Sequence, residues 1–581
     1  MKKNHAFSPD RPVRILLCSV FGPYAQNDEY GSRKVNPMEL YQNQVTRLQG
    51  PFSLRMFHRS FGLLMIQANI EAPCTVLDFP SQGRFLEEIA DQTYDVIGIS
   101  AILPNIGKVK RMCELIRQHS PGSRIVVGGH IANKEDIEDR IDTDFVVKGD
   151  GIRWFRHFLG EDEEAPIRHP AMSSGFSARI LGIDLSEKPG DTAAILIPSV
   201  GCPMGCNFCS TSALFGGKGR FINFYETGDA LFQVMTRIED SLKTRSFFVL
   251  DENFLLHKER ALRLLSLMKA RNKSWALYVF SSARVLNSYT MEQLTGLGVS
   301  YVWMGLEGED SAYSKLASVD TRRLVARLQE NGIRVLGSSI IGLENHTPSN
   351  MEKVIDYAVS HETVFHQFML YTPLAGTPLY EEHRQKGTLL GETEVPPADT
   401  HGQYRFNYRH AHIPSGQEEG FLMEAFRRDF TVNGPSLARM IRVMLNGWQR
   451  HRNNPDDRVR QRIAWETRPL RTTYAGAVWA MRKWYRGKDR HMSQRMGELL
   501  DDLCRAFGPA TRAAAAVTGV YVYWQLKREE KRIASGWAYE PDCFYEKNAA
   551  AMALEQPASS ARAIATCRCA PVSVKPVPVS S

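Results

Sequence analysis

Short apolar runs separated by amphipathic stretches fill the chain up to about residue 395, and purely helical spacing replaces them beyond it. The runs Val13–Ser19, Thr75–Asp78, Asp95–Ser100, Arg124–Gly128 and Asp144–Lys148 are short, apolar and bounded by turn residues, which predicts buried strands. Helical stretches such as Lys108–His119 lie between them. Strand and helix in alternation predict an α/β fold with a parallel, doubly wound sheet, which takes ligands at the carboxyl ends of its strands. Small and polar residues collect at those ends: Ser100 and Asn105, then Gly128, Gly129 and His130, then Gly149 and Asp150. Glycine there lets the backbone approach a ligand closely. A flavodoxin-like sheet whose glycines only make turns is the plainer alternative.

A second alternating region spans 192–395. Its strand-like runs are Ile195–Pro198, Arg245–Leu250, Trp275–Phe280, Tyr301–Met304, Arg334–Ile341 and Phe365–Tyr371. Polar clusters follow several of them, at Asp251-Glu252-Asn253, Ser281 to Arg284, Gly305 to Gly308 with Glu307, and Gly342 to Glu344. A partial (β/α)6 barrel is expected, with its site on the carboxyl face of the strands. Residues 1–165 form the first domain, with an insertion at 31–61 that caps a ligand or lines the substrate cavity, or else packs as an extra helix. Residues 166–191 read as a linker. From 396 to 550 the segments 420–430, 436–448, 474–485 and 493–507 predict a mostly helical domain. His401, Tyr404, His410 and His412, at its start, read as part of a polar connection. The stretch 551–581, rich in Pro, Ser, Ala and Val, reads as a disordered tail in which Cys567 and Cys569 have no role.

At 581 residues the chain is too long for one core. With 43% hydrophobic and 23% charged residues it has the composition of a globular protein. No apolar run approaches the ~20 residues of a membrane span, and the start Met1-Lys-Lys-Asn lacks an apolar signal segment. A cytoplasmic protein is therefore expected. The net charge of +8 does not select a nucleic acid as partner, and the Arg-rich stretch Arg427 to Arg495 reads as a solvated helical face.

Chemistry enters with Cys202, Cys206 and Cys209, a C-x3-C-x2-C run with Gly201, Pro203 and Gly205 between and beside the thiols. Zinc sites pair such a group with a second Cys/His couplet, and none follows within the next hundred residues. Three thiolates on one loop suit three corners of a four-iron, four-sulfur cluster and leave the fourth iron open.

These features, in this order, resemble the cobalamin-dependent radical S-adenosylmethionine (SAM) family, a cobalamin (B12)-binding domain followed by a radical SAM domain. The resemblance implies a 4Fe-4S cluster on Cys202, Cys206 and Cys209, with SAM on the open iron and Phe208 near the adenine. It places the SAM amino group at Asp251, Glu252 and Asn253, the carboxylate at Arg284, the ribose at Glu307 and the adenine beside Gly342. It implies cobalamin at Ser100, Asn105, Gly128, Gly129, His130, Gly149 and Asp150. The loop Ser19 to Gly31 departs from the Asp-x-His-x-x-Gly of better-known cobalamin domains, having no His to ligate cobalt. The activity implied is transfer of a methyl group, via methylcobalamin, to an unactivated carbon or to phosphorus after hydrogen abstraction by a 5'-deoxyadenosyl radical. A non-methylating radical rearrangement or cyclisation is the alternative within the family, and a cobalamin-sensing binding protein the alternative outside it. The implied partners are a small-molecule or lipid substrate and an external electron donor such as a flavodoxin or ferredoxin.

Overall fold

The computed structural model of the protein describes residues 11–22, 29–30, 39–308, 316, 319–536, 542–555 and 567–568. Strand β1 (Ile15–Cys18) is followed by β2 (Arg55–His58), which belongs to another sheet, and by β3 (Cys74–Asp78), β4 (Val96–Ser100), β5 (Arg124–Gly128) and β6 (Phe145–Val147). Parallel pairing gives the order β3-β1-β4-β5-β6, a doubly wound sheet. β1 and β3 are buried at every position, which is why they read as continuous apolar runs with no alternation.

The stretch expected to be a linker is built structure. Its β7 (Gly175–Ile180) and β8 (Ile183–Asp184) pair antiparallel with β2, from the insertion, in the order β2-β7-β8. The rest of the described insertion runs through helical turns at Tyr41–Val45 and Gly50–Phe52. Phe52 is fully buried, edge-on to Trp484 at 4.9 Å and stacked on Tyr485 at 5.8 Å. Gln49 Nε2 donates to Ser436 Oγ at 2.8 Å, and Arg47 Nη1 donates to the Gln403 carbonyl at 2.5 Å. The insertion therefore packs as an element joining three regions. The loop from Ser19, where the missing cobalt-ligating His was noted, lies largely outside the described residues.

The second region opens with β9 (Ala194–Leu196). A ribbon of β10 (Ser199–Val200) and β11 (Ile222–Asn223) brackets the cysteine loop. Strands β12 (Ser246–Val249), β13 (Ala276–Phe280), β14 (Val299–Glu307), β15 (Arg334–Ile341) and β16 (Phe365–Leu370) then run parallel with β9 in the order β16-β15-β14-β13-β12-β9. Among the described residues no pairing joins β16 back to β9, so the barrel is open. One apolar cluster runs from Leu17 of the first sheet and Phe155 of the helix Gly151–Leu159 to Ile195 of β9 and the adjoining Ile197, which locks the two together.

Helices Glu418–Asn433, Ser436–His451, Asp457–Glu466, Thr473–Tyr485, Arg490–Phe507 and Pro509–Ala534 make the C-terminal region. The expectation of a solvated Arg face fails for its inner side. Arg439 is buried against Asp429 at 2.8 Å. Arg462 donates to the Thr295 carbonyl at 2.9 Å and Arg458 to that of Gly296 at 3.3 Å, so guanidinium groups dock these helices on the barrel backbone. The region also returns to the first sheet: β17 (Phe544–Lys547) adds antiparallel to β3, and β18 (Cys567–Arg568) pairs with β17. Cys569 lies outside the described residues.

Two outcomes follow. Phe52→Ala empties a buried aromatic site shared by the insertion and the helices, and should lower stability by about 3–5 kcal/mol in urea unfolding. His366 of β16 is buried between the hydroxyls of Ser339 (3.0 Å) and Thr363 (3.2 Å), and burial pushes its pKa down to about 3. A His whose folded pKa lies below its unfolded value binds its proton more readily unfolded, so its contribution is full above about pH 6.5 and lost as pH falls toward 3. The urea midpoint should decline over that window, and a His366→Gln variant should show a shallower decline.

Candidate functional site

The carboxyl ends of the two parallel sheets open onto two cavities. The first, about 540 Å³, is lined by Ser100, Gly128, Gly129, Gly149 and Asp150 of the first sheet, and by Leu250, Asp251, Glu252 and Phe280 of the second. Leu17, Phe61, Met65, Ile66, Phe155 and Phe224 make its remaining walls largely apolar. Backbone shape keeps it open. Gly129 has φ +83°, and a Cβ on it would lie 2.7 Å from the Ala101 carbonyl oxygen. Asp150 also caps the helix Gly151–Leu159 by accepting from Arg153 N at 3.0 Å.

The second cavity, about 400 Å³, lies inside the open barrel and is lined by Cys202, Cys206 and Cys209. Phe208, Glu252, Asn253, Ser281, Ser282, Glu307, Ser338 and Ser339 share its wall with Trp303, Gln367, Met369, Tyr371 and His401. Glu252 and Phe280 line both cavities, so one carboxylate and one ring form their common wall.

The cysteine loop is shaped by its glycines. Gly201 (φ +87°) passes under Phe215, and Gly205 (φ +63°) passes Lys218, where a Cβ would come within 2.5 Å. Cys209 begins the turn Ser210–Leu214, its Sγ accepting from Ser212 N at 3.5 Å. Burial raises the Cys202 thiol to about 11, and the neighbouring thiols add to the effect. Among the described residues no three His, Cys, Asp or Glu side chains converge on a single ion. A cubane cluster asks something different, one thiolate at each of three separate irons, and three half-exposed thiols along one cavity wall fit that demand. The first cavity fits a corrin in kind, with apolar walls and glycine backbone along one edge.

The acidic strand end after β12 divides its work. Asp251 is buried and engaged by Arg260 Nη2 at 2.8 Å and Ser199 Oγ at 2.6 Å. Asn253 Oδ1 accepts from Ser281 Oγ at 3.1 Å and Ser282 N at 3.2 Å, tying β12 to β13. Glu252 keeps Oε2 buried without a hydrogen-bond partner, and burial raises its pKa to about 7. Glu307 is buried at a register shift between β14 and β15 with φ +50°, a strained conformation that turns its side chain into the cavity wall.

Several predicted residues are placed elsewhere. Arg284 is exposed and lines neither cavity, so the structure does not bring it to the other site residues. Gly342 (φ +85°) sits beneath Phe406, whose ring would be 2.4 Å from an added Cβ, and its role there is packing. Asn105 is buried at the turn Leu103–Asn105, packed on the turn Pro397–Asp399, and His130 is half-buried; neither lines a cavity. Of the four residues noted ahead of the helical domain, His401 alone lines the barrel cavity, while His412 is exposed.

Sequence reasoning missed the barrel's inner wall. Trp303 and Gly305 on β14, in line with the predicted Glu307, and Gln367, Met369 and Tyr371 at β16 line the cavity at alternate positions. Period-two spacing was the signal, since alternate residues of a strand share a face. Phe248, Phe280 and Trp303 stack across three strands at 5.7 and 5.1 Å. Trp303 Nε1 donates to Ser338 Oγ at 2.8 Å, which donates to Gln367 Oε1 at 2.7 Å, and Gln367 Nε2 donates to Gln44 Oε1 of the insertion at 2.8 Å.

Comparison with known proteins comes to the same two halves. The B12 binding domain model matches residues 53–159, and the Radical SAM superfamily model matches residues 196–358. Among curated proteins the chain is similar to an uncharacterized methyltransferase of Pyrococcus horikoshii, 26% identical over 215 residues, covering 35% of this chain and 44% of that protein. It is similar also to the bacteriochlorophyllide d C-8(2)-methyltransferase of Chlorobaculum tepidum, 23% identical, covering 58% of this chain and 78% of that one. A third is the anaerobic magnesium-protoporphyrin IX monomethyl ester cyclase of Rubrivivax gelatinosus, 23% identical, covering 52% and 60%. The chain spans less than half the length of the Pyrococcus horikoshii protein, 44%, and of the bacteriochlorophyllide d C-12(1)-methyltransferase of Chlorobaculum tepidum, 42%. Of solved structures, TsrM, a radical SAM methyltransferase of Kitasatospora setae with cobalamin and a 4Fe-4S cluster, aligns at TM-score 0.48 and 15% identity over 78% of this chain and 99% of that one.

The hydrogen-bonded row across β14, β15 and β16 makes a direct prediction. Gln367→Leu strips partners from Ser338 and Gln44 at once and should cost about 1–3 kcal/mol in urea unfolding.

Proposed function

Because the chain belongs to the cobalamin-dependent radical SAM family, through a B12 binding domain followed by a radical SAM domain, we propose that it is a methyltransferase working across the wall of Glu252 and Phe280. That shared wall is the observation that carries the reading. Two reagents can act on one substrate only if their sites adjoin, and positioning of this kind supplies much of a catalyst's advantage. When bound, the 4Fe-4S cluster supplies the electron that cleaves SAM to a 5'-deoxyadenosyl radical, and cobalamin carries the methyl group.

The chain's own residues then have separate tasks. Cys202, Cys206 and Cys209 hold the cluster. Phe208, edge-on to Tyr371 at 6.1 Å, walls the space beside it. Ser281, Ser282, Ser338 and Ser339, with Glu307, offer hydroxyls and a carboxylate to the polar groups of SAM. The glycine-rich ends of β5 and β6 hold the corrin, and apolar walls exclude water from both sites. Asp251, held by Arg260, keeps the strand end in place rather than contacting SAM.

The linings bear on the substrate class. None of the described residues lining either cavity is Lys or Arg, while Phe280, Trp303, Ile340, Met369 and Leu370 are prominent. This favours an uncharged, largely apolar substrate over a phosphorylated one, which would need a cation to offset its desolvation. Among the described residues no helix is long and apolar enough to cross a membrane.

Similarity to the Rubrivivax gelatinosus cyclase supports a second reading, a radical ring closure without methyl transfer. One incubation separates the two. Anaerobically reconstituted protein with cobalamin, SAM, a chemical reductant and a substrate that gives up hydrogen and takes methyl should yield S-adenosylhomocysteine together with 5'-deoxyadenosine; deoxyadenosine alone, with the substrate consumed, sinks the methyltransferase. Changing Cys202, Cys206 and Cys209 together to Ala should abolish deoxyadenosine and protein-bound iron while the corrinoid absorption bands persist.

A further inference from the structure

The helix Pro509–Ala534 is apolar on two opposite faces. Thr511, Ala515, Gly519, Val522 and Leu526 are buried, and Glu529 at the end of that face holds Arg179 at 2.8 Å. Gly182 closes the contact, since a Cβ on it would lie 2.6 Å from the Gln525 carbonyl oxygen. This face fixes the helix to the protein.

The other face has no such reason to be apolar. Val517 is 75% exposed, Val520 58%, Tyr521 54% and Trp524 53%. They follow helical spacing along one stripe, continued by exposed Arg528 and Lys531. No acidic residue is exposed on the stripe, because Glu529 is buried and Glu530 is bound by Lys488 and Lys527. The cations at its end are free to act outward. Arg528, Lys531 and the nearby Lys483 form no ion pair among the described residues, and Arg528 lies over the Trp524 ring at 4.5 Å while Lys483 lies over Tyr523 at 4.9 Å.

We propose that this face docks the enzyme on an anionic lipid bilayer. An exposed Trp and Tyr suit the level of the headgroups, where one end of each ring is apolar and the other wet. Valines on the same stripe reach below that level, and the Arg and Lys at its rim meet lipid phosphates. A protein partner of ordinary polarity would not call for a stripe with cations and no carboxylate. The proposal stands apart from the methyltransferase reading, and its test needs no turnover.

The experiment is co-sedimentation of the full chain with sucrose-loaded vesicles of phosphatidylcholine, with and without phosphatidylglycerol. Wild-type protein should pellet with the anionic vesicles and dissociate as salt rises. Val517→Ser, Tyr521→Ser and Trp524→Ser combined should weaken binding on the order of 100-fold. Arg528→Gln with Lys531→Gln should weaken it roughly 30-fold on anionic vesicles alone. These side chains are exposed, so unchanged circular dichroism and cluster content should accompany the loss. Failure to pellet with either vesicle would overturn the proposal. A dimer in sedimentation velocity that the Ser variant dissociates would overturn it too, by giving the face to a second copy.

Discussion

The carboxyl ends of two parallel sheets meet across Glu252 and Phe280, and the rest of the molecule is arranged around that meeting. An open parallel sheet leaves a crevice at its strand ends, where small residues and turns replace the ladder. Here the crevice of the doubly wound sheet and the mouth of the open barrel face one another. Each therefore supplies a wall to the other, and the apolar cluster from Leu17 to Ile197 fixes their relation. A displacement of either sheet would move Glu252 and the cysteine loop together relative to the glycine ends of β5 and β6.

Such a junction needs restraint from outside, because an open barrel has no ladder to close it. The insertion supplies this on the β16 side, where Gln44 completes the row of hydrogen bonds from Trp303 through Ser338 and Gln367. Half-buried rows of this kind hold side chains more rigidly when their members are satisfied. On the outer surface Arg458 and Arg462 donate to barrel carbonyls. Arg334 and Glu466 meet at 2.5 Å, binding strand to helix at the same seam. β7 and β8, with β2, tie the insertion to the entry of the barrel, and β17 returns the far end of the chain to the first sheet. The linker, the insertion and the Arg-rich stretch are thus the parts that hold the site in register.

What the sequence showed depended on distance along the chain. Strands buried on both faces announce themselves as apolar runs, and the cysteine spacing announces its loop, because both signals are local. The pairing of β2 with β7 and of β17 with β3 left no local trace, since each strand finds its partner far off and mixes polar with apolar residues. Strand-end polarity was readable but its direction was not. Arg284 lies beyond β13 and Glu307 ends β14, yet one faces solvent and the other the cavity, and the register shift at Glu307 is something no composition reveals. Gly342 was expected beside the adenine, but the group packed against it is the ring of Phe406, far along the chain and so without a local signal.

The sharpest case is the neighbouring pair Asp251 and Glu252. In sequence they are two carboxylates at one strand end with equal claim to a ligand. In the fold Arg260 and Ser199 take Asp251, so its charge is met within the protein. Glu252 receives no such cation among the described residues, and burial, with the Asp251 charge beside it, raises its pKa to about 7. A buried carboxyl without a cation is costly in its charged form, so it is poised to hold a proton or to await a positive group. Glu252 stands in the wall of both cavities, one of them lined by the three cysteines. Both residues lie beyond the end of β12, Asp251 held by Arg260 and Ser199 and Glu252 in the turn that follows. One carboxylate is spent on holding the strand end, and that leaves the other for the wall between the two sites.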